Sequence, residues 1–206
     1  MQRLSKALEK CGPLGWRPAR QWKVFEGGSV VLVTGLPVFV ADATAVVLPG
    51  VGAFGACMSA LRRAGLEDVA HHAVASGRPF LGVCVGMQML FDGSEEDPAH
   101  TGLGIIPGRV CWLGTSLPRP QMQWNRLDIR CPDALFDGLG SHPWMYFVHS
   151  YVAEVADPAD IAATCDYGTP LTAAVARGRL WATQFHPEKS GTNGLRLLDT
   201  YVQTLT

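Results

Sequence analysis

Apolar runs and segments with helical spacing alternate along the first half of the chain. Short runs rich in Val, Leu, Ile and Phe predict strands, which we place at 30–34, 45–48, 79–83, 105–113, 145–148 and 180–185. Apolar residues three or four positions apart predict helices, which we place at 4–11, 54–61, 66–74 and 195–202. Strands and helices in alternation are typical of βαβ units around a parallel sheet.

The second half of the chain has a different character. Between residues 104 and 179 Gly, Pro and Trp are more frequent, and the runs 173–176 and 180–185 flank a turn sequence as in a β-hairpin. We therefore expect an α/β fold, with a mostly parallel central sheet flanked by helices and with added antiparallel strands. No repeat and no long linker divides the sequence, so we expect a single domain over 1–206.

The segment 13–26 fits neither the helical nor the strand period. It contains Trp16 and Trp22 among several Arg and Lys residues, with no acidic residue before Glu26. An irregular surface loop and a partner-binding patch are both open interpretations.

The charge balance narrows the choice of partners. The 206 residues include 17 basic and 18 acidic side chains, which leave a formal net charge of −1. This balance argues against a nucleic-acid-coating or membrane-surface protein, and no apolar run approaches the roughly 20 residues that span a bilayer. The first ten residues form a charged helical pattern unlike that of a signal peptide, so we expect a cytoplasmic protein.

The cysteines give no sign of a metal site. The chain has 6, and none stands in a C-x-x-C pair, so neither a zinc site nor a thioredoxin-like motif has support. Without an export signal, a disulfide framework is not expected either. We expect no metal and no cofactor, and we interpret every cysteine except Cys84 as a small buried hydrophobic residue.

Cys84 stands in a context that suits a nucleophile. The strand 79–83 ends in Gly82-Val83, and the residues after Cys84 can continue as a helix over 85–91. The pattern G-x-C-x-G is therefore that of a nucleophile elbow with Cys in place of Ser. A thiol at a helix N-terminus is favoured as thiolate by the helix dipole and the free N–H groups. This motif alone leaves a catalytic and a buried structural cysteine both open.

A cysteine nucleophile needs a base and a group that orients the base. His186 follows the strand 180–185, and in an extended segment His186 and Glu188 point to the same side. Glu188 can then accept a hydrogen bond from the imidazole. Because active sites of open α/β sheets gather at the carboxyl ends of the strands, we expect both side chains to meet Cys84.

A glycine-rich stretch after the strand 45–48 supplies backbone N–H groups that no side chain obstructs. It reads Pro49-Gly50-Val51-Gly52-Ala53-Phe54-Gly55. Such groups suit an oxyanion hole. A phosphate-binding loop is the rival interpretation, but neither G-x-G-x-x-G nor G-x-x-x-x-G-K-[ST] is present.

Taken together, these segments resemble the class I (triad) glutamine amidotransferases. Within them, the sequence is most similar to the glutaminase subunits of imidazole glycerol phosphate synthase, from histidine biosynthesis. The elbow and the His-Pro-Glu tripeptide belong to the whole class, whereas P-G-V-G-A-F-G and His149-Ser150-Tyr151 narrow the likeness to this subfamily. The likeness extends from about residue 45 to the C-terminus, and the resemblance implies a flavodoxin-like fold.

The resemblance also implies the chemistry. Cys84 attacks the carboxamide of glutamine to form a γ-glutamyl thioester, His186 relays protons, and Glu188 orients His186. Backbone amides near Gly50 and after Cys84 would hold the oxyanion. The positions that the resemblance assigns to substrate binding are Gly50, Val51, Gly52, Gln88, His149, Ser150 and Tyr151.

A partner follows from the same resemblance. The ammonia would pass to a (β/α)₈-barrel synthase (cyclase) subunit in a heterodimer, which joins it to a phosphoribosyl aminoimidazole carboxamide nucleotide (PRFAR). The positions that match the family's interface are Pro120, Met122, Trp124, Asn125 and Lys189.

The sequence departs from the family's pattern in three places. Family members open with a short strand before the helix that 2–11 matches, so we expect this strand to be missing, and 30–34 could replace it only with a changed topology. The segment 12–45 is longer and richer in Trp than in the family. Gln123 stands where the family has a Gly beside Trp124.

Two alternatives to a glutaminase subunit are open at this stage. One is a non-catalytic binding module of the same fold, degraded by the loss of the first strand. The other is another class I amidotransferase or a related cysteine hydrolase, such as a γ-glutamyl hydrolase.

Overall fold

The computed structural model describes residues 21–24, 30–131 and 133–205, with the backbone alone at 21–24, 30 and 31. The strands are β1 (Gln21–Val24), β2 (Val30–Val33), β3 (Val46–Gly50), β4 (Phe80–Cys84), β5 (Gly108–Trp112), β6 (Gln121–Arg126), β7 (Asp128–Ile129), β8 (Trp144–His149), β9 (Tyr151–Val155), β10 (Ile161–Asp166), β11 (Pro170–Arg177) and β12 (Leu180–Thr183). The α-helices are α1 (Pro37–Ala41), α2 (Phe54–Arg63), α3 (Glu67–Ala75), α4 (Val85–Gln88) and α5 (Gly191–Gln203). Single-turn 3₁₀ helices lie at Ala134–Phe136, Pro158–Asp160 and Pro187–Lys189.

A six-stranded mixed sheet with the order β3-β4-β12-β11-β10-β7 forms the centre of the molecule. β4 is parallel to both β3 and β12, whereas β11, β10 and β7 extend the sheet by antiparallel pairing. Every residue of β4 and β12 is buried, as expected of strands covered on both faces. The α/β fold class, with its parallel core and added antiparallel strands, is confirmed.

Two antiparallel ribbons pack beside this sheet. β5 pairs with β9, and β6 pairs with β8. The predicted hairpin is confirmed, since β11 and β12 pair antiparallel around Arg177-Gly178-Arg179. The single-domain assignment stays a prediction.

Three expectations about local structure need correction. Residues 21–24 form β1 and pair with β2, so this part of the segment 13–26 is a strand and not an irregular loop. The strand expected at 105–113 covers only Gly108–Trp112, because the N–H groups of Ile105 and Ile106 both bond to the Leu90 carbonyl instead of a strand partner. The helix expected at 85–91 ends at Gln88, since Leu90 and Phe91 continue it as tighter turns.

The family's first strand cannot be compared directly. The helix predicted at 4–11 lies outside the described residues, as does most of the segment 13–26. Within the part of the chain that is described, β2 pairs with β1 in a separate two-stranded sheet and does not join β3.

Candidate active site

The nucleophile candidate lies in the turn between β4 and α4. Cys84 adopts φ 56° and ψ −115°, and it is the one non-glycine residue with positive φ among those described. Only glycine fits at position 86, because a Cβ there would lie 1.8 Å from the carbonyl oxygen of Leu48. The strained elbow predicted from G-x-C-x-G is therefore present, and it holds Cys84 in a backbone conformation that L-residues rarely adopt.

The base candidate lies at the end of the adjoining strand. His186 follows β12, whose Thr183 is in register with Val83 of β4, so both chains reach the same edge of the sheet. His186 Nδ1 is 2.7 Å from Glu188 Oε1, and the two side chains are only 4% and 5% exposed. The backbone N–H of His186 donates to the carbonyl of Tyr146, which fixes the histidine against β8.

The electrostatic state of His186 suits a proton relay. Burial lowers the pKa of its imidazole, but hydrogen bonds with Cys84 and Glu188 outweigh burial and raise the pKa to about 9. At neutral pH the ring carries a proton and faces the sulfur on one side and the carboxylate on the other. A histidine held between a cysteine sulfur and a carboxylate is the arrangement of a nucleophile with its base and the group that orients the base.

The glycine-rich loop passes directly over the elbow. Gly50 ends β3 in register with Cys84, and a Cβ at position 50 would lie 2.7 Å from the backbone nitrogen of Gly86. Gly52 has φ 91°, a conformation that glycine adopts readily. The loop therefore lies directly against the backbone of the elbow, where its N–H groups could serve an oxyanion hole.

Side chains from outside the loop hold it in place. The thiol of Cys57 donates to the carbonyl of Val51 at 3.4 Å. The backbone N–H of Phe54, at the start of α2, donates to Glu96 Oε2 at 2.8 Å. Glu96 thus caps a helix that has no side-chain cap of its own, and it places a carboxylate beside the loop.

The remaining substrate-binding candidates form one buried network behind the elbow. Gln88 Nε2 donates to the carbonyl of Tyr151 at 3.4 Å. His149 Nδ1 lies 2.8 Å from the same carbonyl, and its Nε2 lies 2.7 Å from Gln121 Oε1. Burial, together with the nearby His186, lowers the pKa of His149 to about 4 although the bond to Tyr151 opposes this. Both ring nitrogens of His149 thus contact the protein, whereas Ser150 is half-buried between His149 and Tyr151.

Sequence reasoning missed three residues of this network. Gln184 and Gln121 are completely buried, and Glu96 is half-buried. Gln184 stands two residues before His186, so its position near the site was open to prediction from spacing. Nothing in the sequence around Glu96 or Gln121 indicates their contacts, since these partners come from distant segments.

Two of the interface candidates, Met122 and Trp124, lie on the outer face of the β6–β8 ribbon. Met122 and Trp124 are 61% and 47% exposed, and Trp124 packs edge-to-face on Tyr146. Pro120 and Lys189 are exposed, whereas Asn125 is half-buried and donates to the carbonyl of Asp166. Trp144 of β8 is 51% exposed beside them and was not singled out from the sequence.

The other cysteines are not uniformly buried. Cys165 is buried as expected, whereas Cys57 and Cys111 are half-buried and Cys131 is exposed, which corrects the expectation for these three residues. Cys11 lies outside the described residues. All five described cysteines are free thiols. Among the described residues, no three His, Cys, Asp or Glu side chains come together as metal ligands, and no helix has the length and hydropathy of a membrane span.

Comparison with known sequences gives strong matches. The model of the glutamine amidotransferase class-I family matches residues 39–202. The chain is 48% identical over 179 residues to the imidazole glycerol phosphate synthase subunit HisH of Synechococcus elongatus, which covers 85% of this chain and 82% of the relative. It is 49% identical over 176 residues to the HisH subunit of Syntrophotalea carbinolica, covering 82% of this chain and 85% of that relative.

Comparison with solved structures supports the fold. A crystal structure described as a glutamine amidotransferase matches with a TM-score of 0.65 at 21% identity, covering 84% of each chain. PurLQS from Thermotoga maritima matches with a TM-score of 0.63 at 17% identity, covering 80% of this chain and 81% of the other. At these identities the likeness is one of fold.

Proposed function

Because the chain belongs to the class-I glutamine amidotransferase family, we propose that it is the glutaminase subunit of an imidazole glycerol phosphate synthase. It hydrolyses glutamine to glutamate and ammonia and supplies the ammonia to a synthase subunit in histidine biosynthesis. The observation that carries the proposal is the hydrogen-bonded series Cys84–His186–Glu188 at the edge where parallel strands end.

The first half-reaction transfers the γ-glutamyl group to sulfur. The Cys84 thiolate attacks the carboxamide carbon of glutamine, and the oxygen becomes an oxyanion close to the backbone of Gly50–Gly52. The protonated His186 gives its proton to the leaving nitrogen, so that ammonia departs and a thioester remains. Glu188 holds the ring in the required tautomer throughout.

The second half-reaction hydrolyses the thioester and regenerates the free enzyme. His186, now neutral, takes a proton from water as the water attacks the thioester carbon. The carbon–sulfur bond then breaks, its electron pair goes to sulfur, and the product leaves as the γ-carboxylic acid, which loses its proton to water to become glutamate. The thiolate and the protonated imidazole are restored.

The pocket suits a zwitterionic amide substrate. Glu96 places a carboxylate beside the oxyanion loop, where it can attract the α-ammonium group of glutamine. The acidic residues Glu95 and Glu96 also act electrostatically on the exposed side of Tyr151, whose pKa is raised by burial and by these charges. Tyr151 and Ser150 stay proposed pocket residues, together with Gln88, whereas the contacts of His149 favour a supporting role.

The synthase subunit, a (β/α)₈ barrel, docks on the outer face of β6 and β8. This face presents Met122, Trp124 and Trp144 to solvent, and exposed aromatic residues and Met are characteristic of interface cores. Its neighbour Lys189 directly follows Glu188, so the docked partner would lie close to the catalytic histidine. Ammonia released there has a short path to the partner, and a biosynthetic role of this kind fits the expected cytoplasmic location.

The proposal is tested by measuring glutamate release in a mixture of this chain, its synthase partner and PRFAR. We expect Cys84→Ala to abolish glutamate release, because the sulfur is the acyl acceptor. Cys131→Ala is the matched control, since Cys131 is an exposed cysteine in a loop and should keep the wild-type rate. Equal rates for Cys84→Ala and wild type would overturn the proposal and favour a binding module without catalysis.

A further inference from the structure

Gln184 contacts the reacting sulfur from a second direction. Its side chain is 0% exposed, and its Nε2 lies 3.9 Å from Cys84 Sγ, a distance compatible with a hydrogen bond to sulfur. The backbone of Gln184 is held by a 2.8 Å bond to the carbonyl of Ala173 in β11. The amide therefore reaches Cys84 from a rigid position at the end of β12.

The orientation of this amide is fixed by the atoms around it. The carbonyl of Tyr151 can only accept hydrogen bonds, so the Gln88 atom that faces it must be the NH₂ nitrogen. The same nitrogen lies 3.0 Å from Gln184 Oε1, so Gln184 must present its oxygen to Gln88. The NH₂ group of Gln184 then points at Cys84.

The Tyr151 carbonyl that anchors this arrangement is itself held from the other side. His149 Nδ1 lies 2.8 Å from it, and His149 continues to the buried Gln121. A buried amide chain of this kind is costly unless every donor and acceptor is paired in one consistent direction. The hydrogen bonds of Gln88 and Gln184 satisfy that condition, and the last donor of the chain, the NH₂ group of Gln184, faces Cys84 Sγ.

We propose that Gln184 is a catalytic residue of the glutaminase reaction, whose NH₂ group donates a hydrogen bond to the Cys84 thiolate, and that Gln88 is the residue that positions it. This inference rests on the proposed function. The sulfur carries a full negative charge before attack and again when the carbon–sulfur bond of the thioester intermediate breaks. The donor lowers kcat barriers where charge develops on sulfur, which is the breakdown of the thioester, because the neutral thioester accepts hydrogen bonds only weakly and the departing thiolate accepts them strongly.

The charged and titratable groups around the sulfur are few. His186 bonds to Cys84 directly and is backed by Glu188, and Cys57 interacts with Cys84 electrostatically. Gln184 is neutral at every pH of interest, so it supplies a donor that does not titrate.

The test replaces Gln184 by Met, which keeps the length of the side chain and removes the donor. The first measurement is the rate at which iodoacetamide alkylates Cys84 in the isolated chain at pH 7.5. A hydrogen bond to a charged group is worth about 1.5–3 kcal/mol, but a thiolate that loses this stabilisation also becomes more nucleophilic, so we expect alkylation about threefold slower than in wild type. Gln203→Met is the matched control, because Gln203 bonds to Asp199 on the surface of α5.

The second measurement is steady-state glutaminase activity in the complex with the synthase partner and PRFAR. We expect Gln184→Met to lower kcat by a similar factor while KM changes less than about twofold, because the donor acts on sulfur and not on bound glutamine. A folded Gln184→Met variant with wild-type alkylation overturns the inference. A wild-type complex without turnover would instead overturn the proposed function, and the alkylation result would still decide whether the bond exists.

Two further experiments cover the case in which Gln184→Met does not fold. Gln184→Asn keeps a polar amide but is too short to reach the sulfur, so we expect the same loss of alkylation rate. In the wild-type chain, alkylation of Cys84 removes the acceptor, so the side-chain amide proton resonances of Gln184 should shift while those of Gln203 stay in place. Unmoved Gln184 resonances would overturn the inference.

Discussion

The imidazole of His186 is buried, yet its pKa is raised to about 9 because hydrogen bonds with Cys84 and Glu188 outweigh burial. A histidine stays protonated in a buried site where hydrogen bonds at its ring nitrogens offset the cost of burial. Here the Glu188 carboxylate lies 2.7 Å from Nδ1, and the imidazole also hydrogen-bonds with Cys84. This arrangement distinguishes the site from a buried structural cysteine, an alternative that the elbow motif alone leaves open.

Glu188→Gln removes the charge behind His186 while keeping the shape of the side chain. We expect the pKa of His186 to fall and kcat to fall on the order of 10²–10⁴-fold, because the orienting and charge-stabilising partner is lost. The measurement is kcat at saturating glutamine in the synthase complex, with Glu154→Gln as the control at an exposed glutamate of β9. An unchanged kcat in Glu188→Gln would contradict a triad.

His149 makes stability depend on pH in the acidic range. Its pKa is lowered by burial from 6.5 to about 4. Between pH 4 and pH 6.5, His149 is therefore protonated in the unfolded chain and neutral in the folded chain. The free energy of unfolding keeps its full value above pH 6.5. It decreases by up to about 3 kcal/mol as the pH falls towards 4, because unfolding then takes up a proton. We expect the difference in unfolding free energy between wild type and His149→Asn to shrink over this range in urea titrations. A difference that stays constant would show that His149 is not buried in its neutral form.

The residues of the site differ in how far the sequence could predict them. Cys84, His186 and Glu188 were predicted because they are local motifs whose neighbours dictate their geometry. The bond between His149 and Gln121 joins strands 28 residues apart, and neither residue has a local pattern that indicates it. The role of His149 as a support, with both ring nitrogens in contact with the protein, was therefore beyond sequence reasoning.

Among the elements, the elbow depends on backbone crowding more than on side-chain packing. β3, β4 and α4 approach so closely at Gly86 that a single methyl group would overlap the Leu48 carbonyl. The geometry of Cys84 is thus set by the distance between the strand ends.

Gly86→Ala tests this dependence. We expect a loss of stability of ~3 kcal/mol, since backbone atoms cannot move aside as flexible side chains do. Gly114→Ala is the control, because no atom lies within 4 Å of a Cβ at that position. The measurement is Tm together with the alkylation rate of Cys84. Equal Tm values for the two variants would contradict a crowded elbow.

Helices and strands were predicted correctly where the spacing of apolar residues in the sequence agrees with their burial in the structure. β4 is a continuous apolar run, and the helix α2 shows the expected spacing of Phe54, Met58 and Leu61. The strand expected at 180–185 is present as β12 but ends at Thr183. β1 was missed because four residues are too few to show a strand period in the sequence. The strand is defined by its hydrogen-bonded pairing with β2, which the sequence pattern does not reveal. α4 was predicted too long because Met89, Leu90 and Phe91 are all buried, which gives a turn the same apolar signature as a helix.

At the scale of the whole molecule, the proposed catalytic edge and the proposed docking face adjoin each other. In β6, Gln121 is buried and the next residue, Met122, faces solvent. A synthase subunit bound to the outer face of the β6–β8 ribbon would therefore cover residues one position away from the buried network.

Met122→Asp tests the docking face. We expect affinity for the synthase subunit to fall by more than about tenfold, since a charge would be buried without a partner. Val38→Asp is the matched control, because Val38 on α1 is 62% exposed and Met122 is 61% exposed. The measurement is a calorimetric titration of each variant with the synthase subunit. Equal affinities for both variants would remove this face from the interface.

The position of β4 has a consequence for how the enzyme loses activity on heating. β4 is hydrogen-bonded on both sides, to β3 and to β12, and all its residues are buried. Cys84 lies at its end, so the elbow cannot open by the fraying of an edge strand, and losing the catalytic geometry requires separating the middle of the sheet. Heat inactivation should then proceed at the rate of global unfolding, and the half-life of activity at high temperature becomes a direct reading of the kinetic stability of the whole fold.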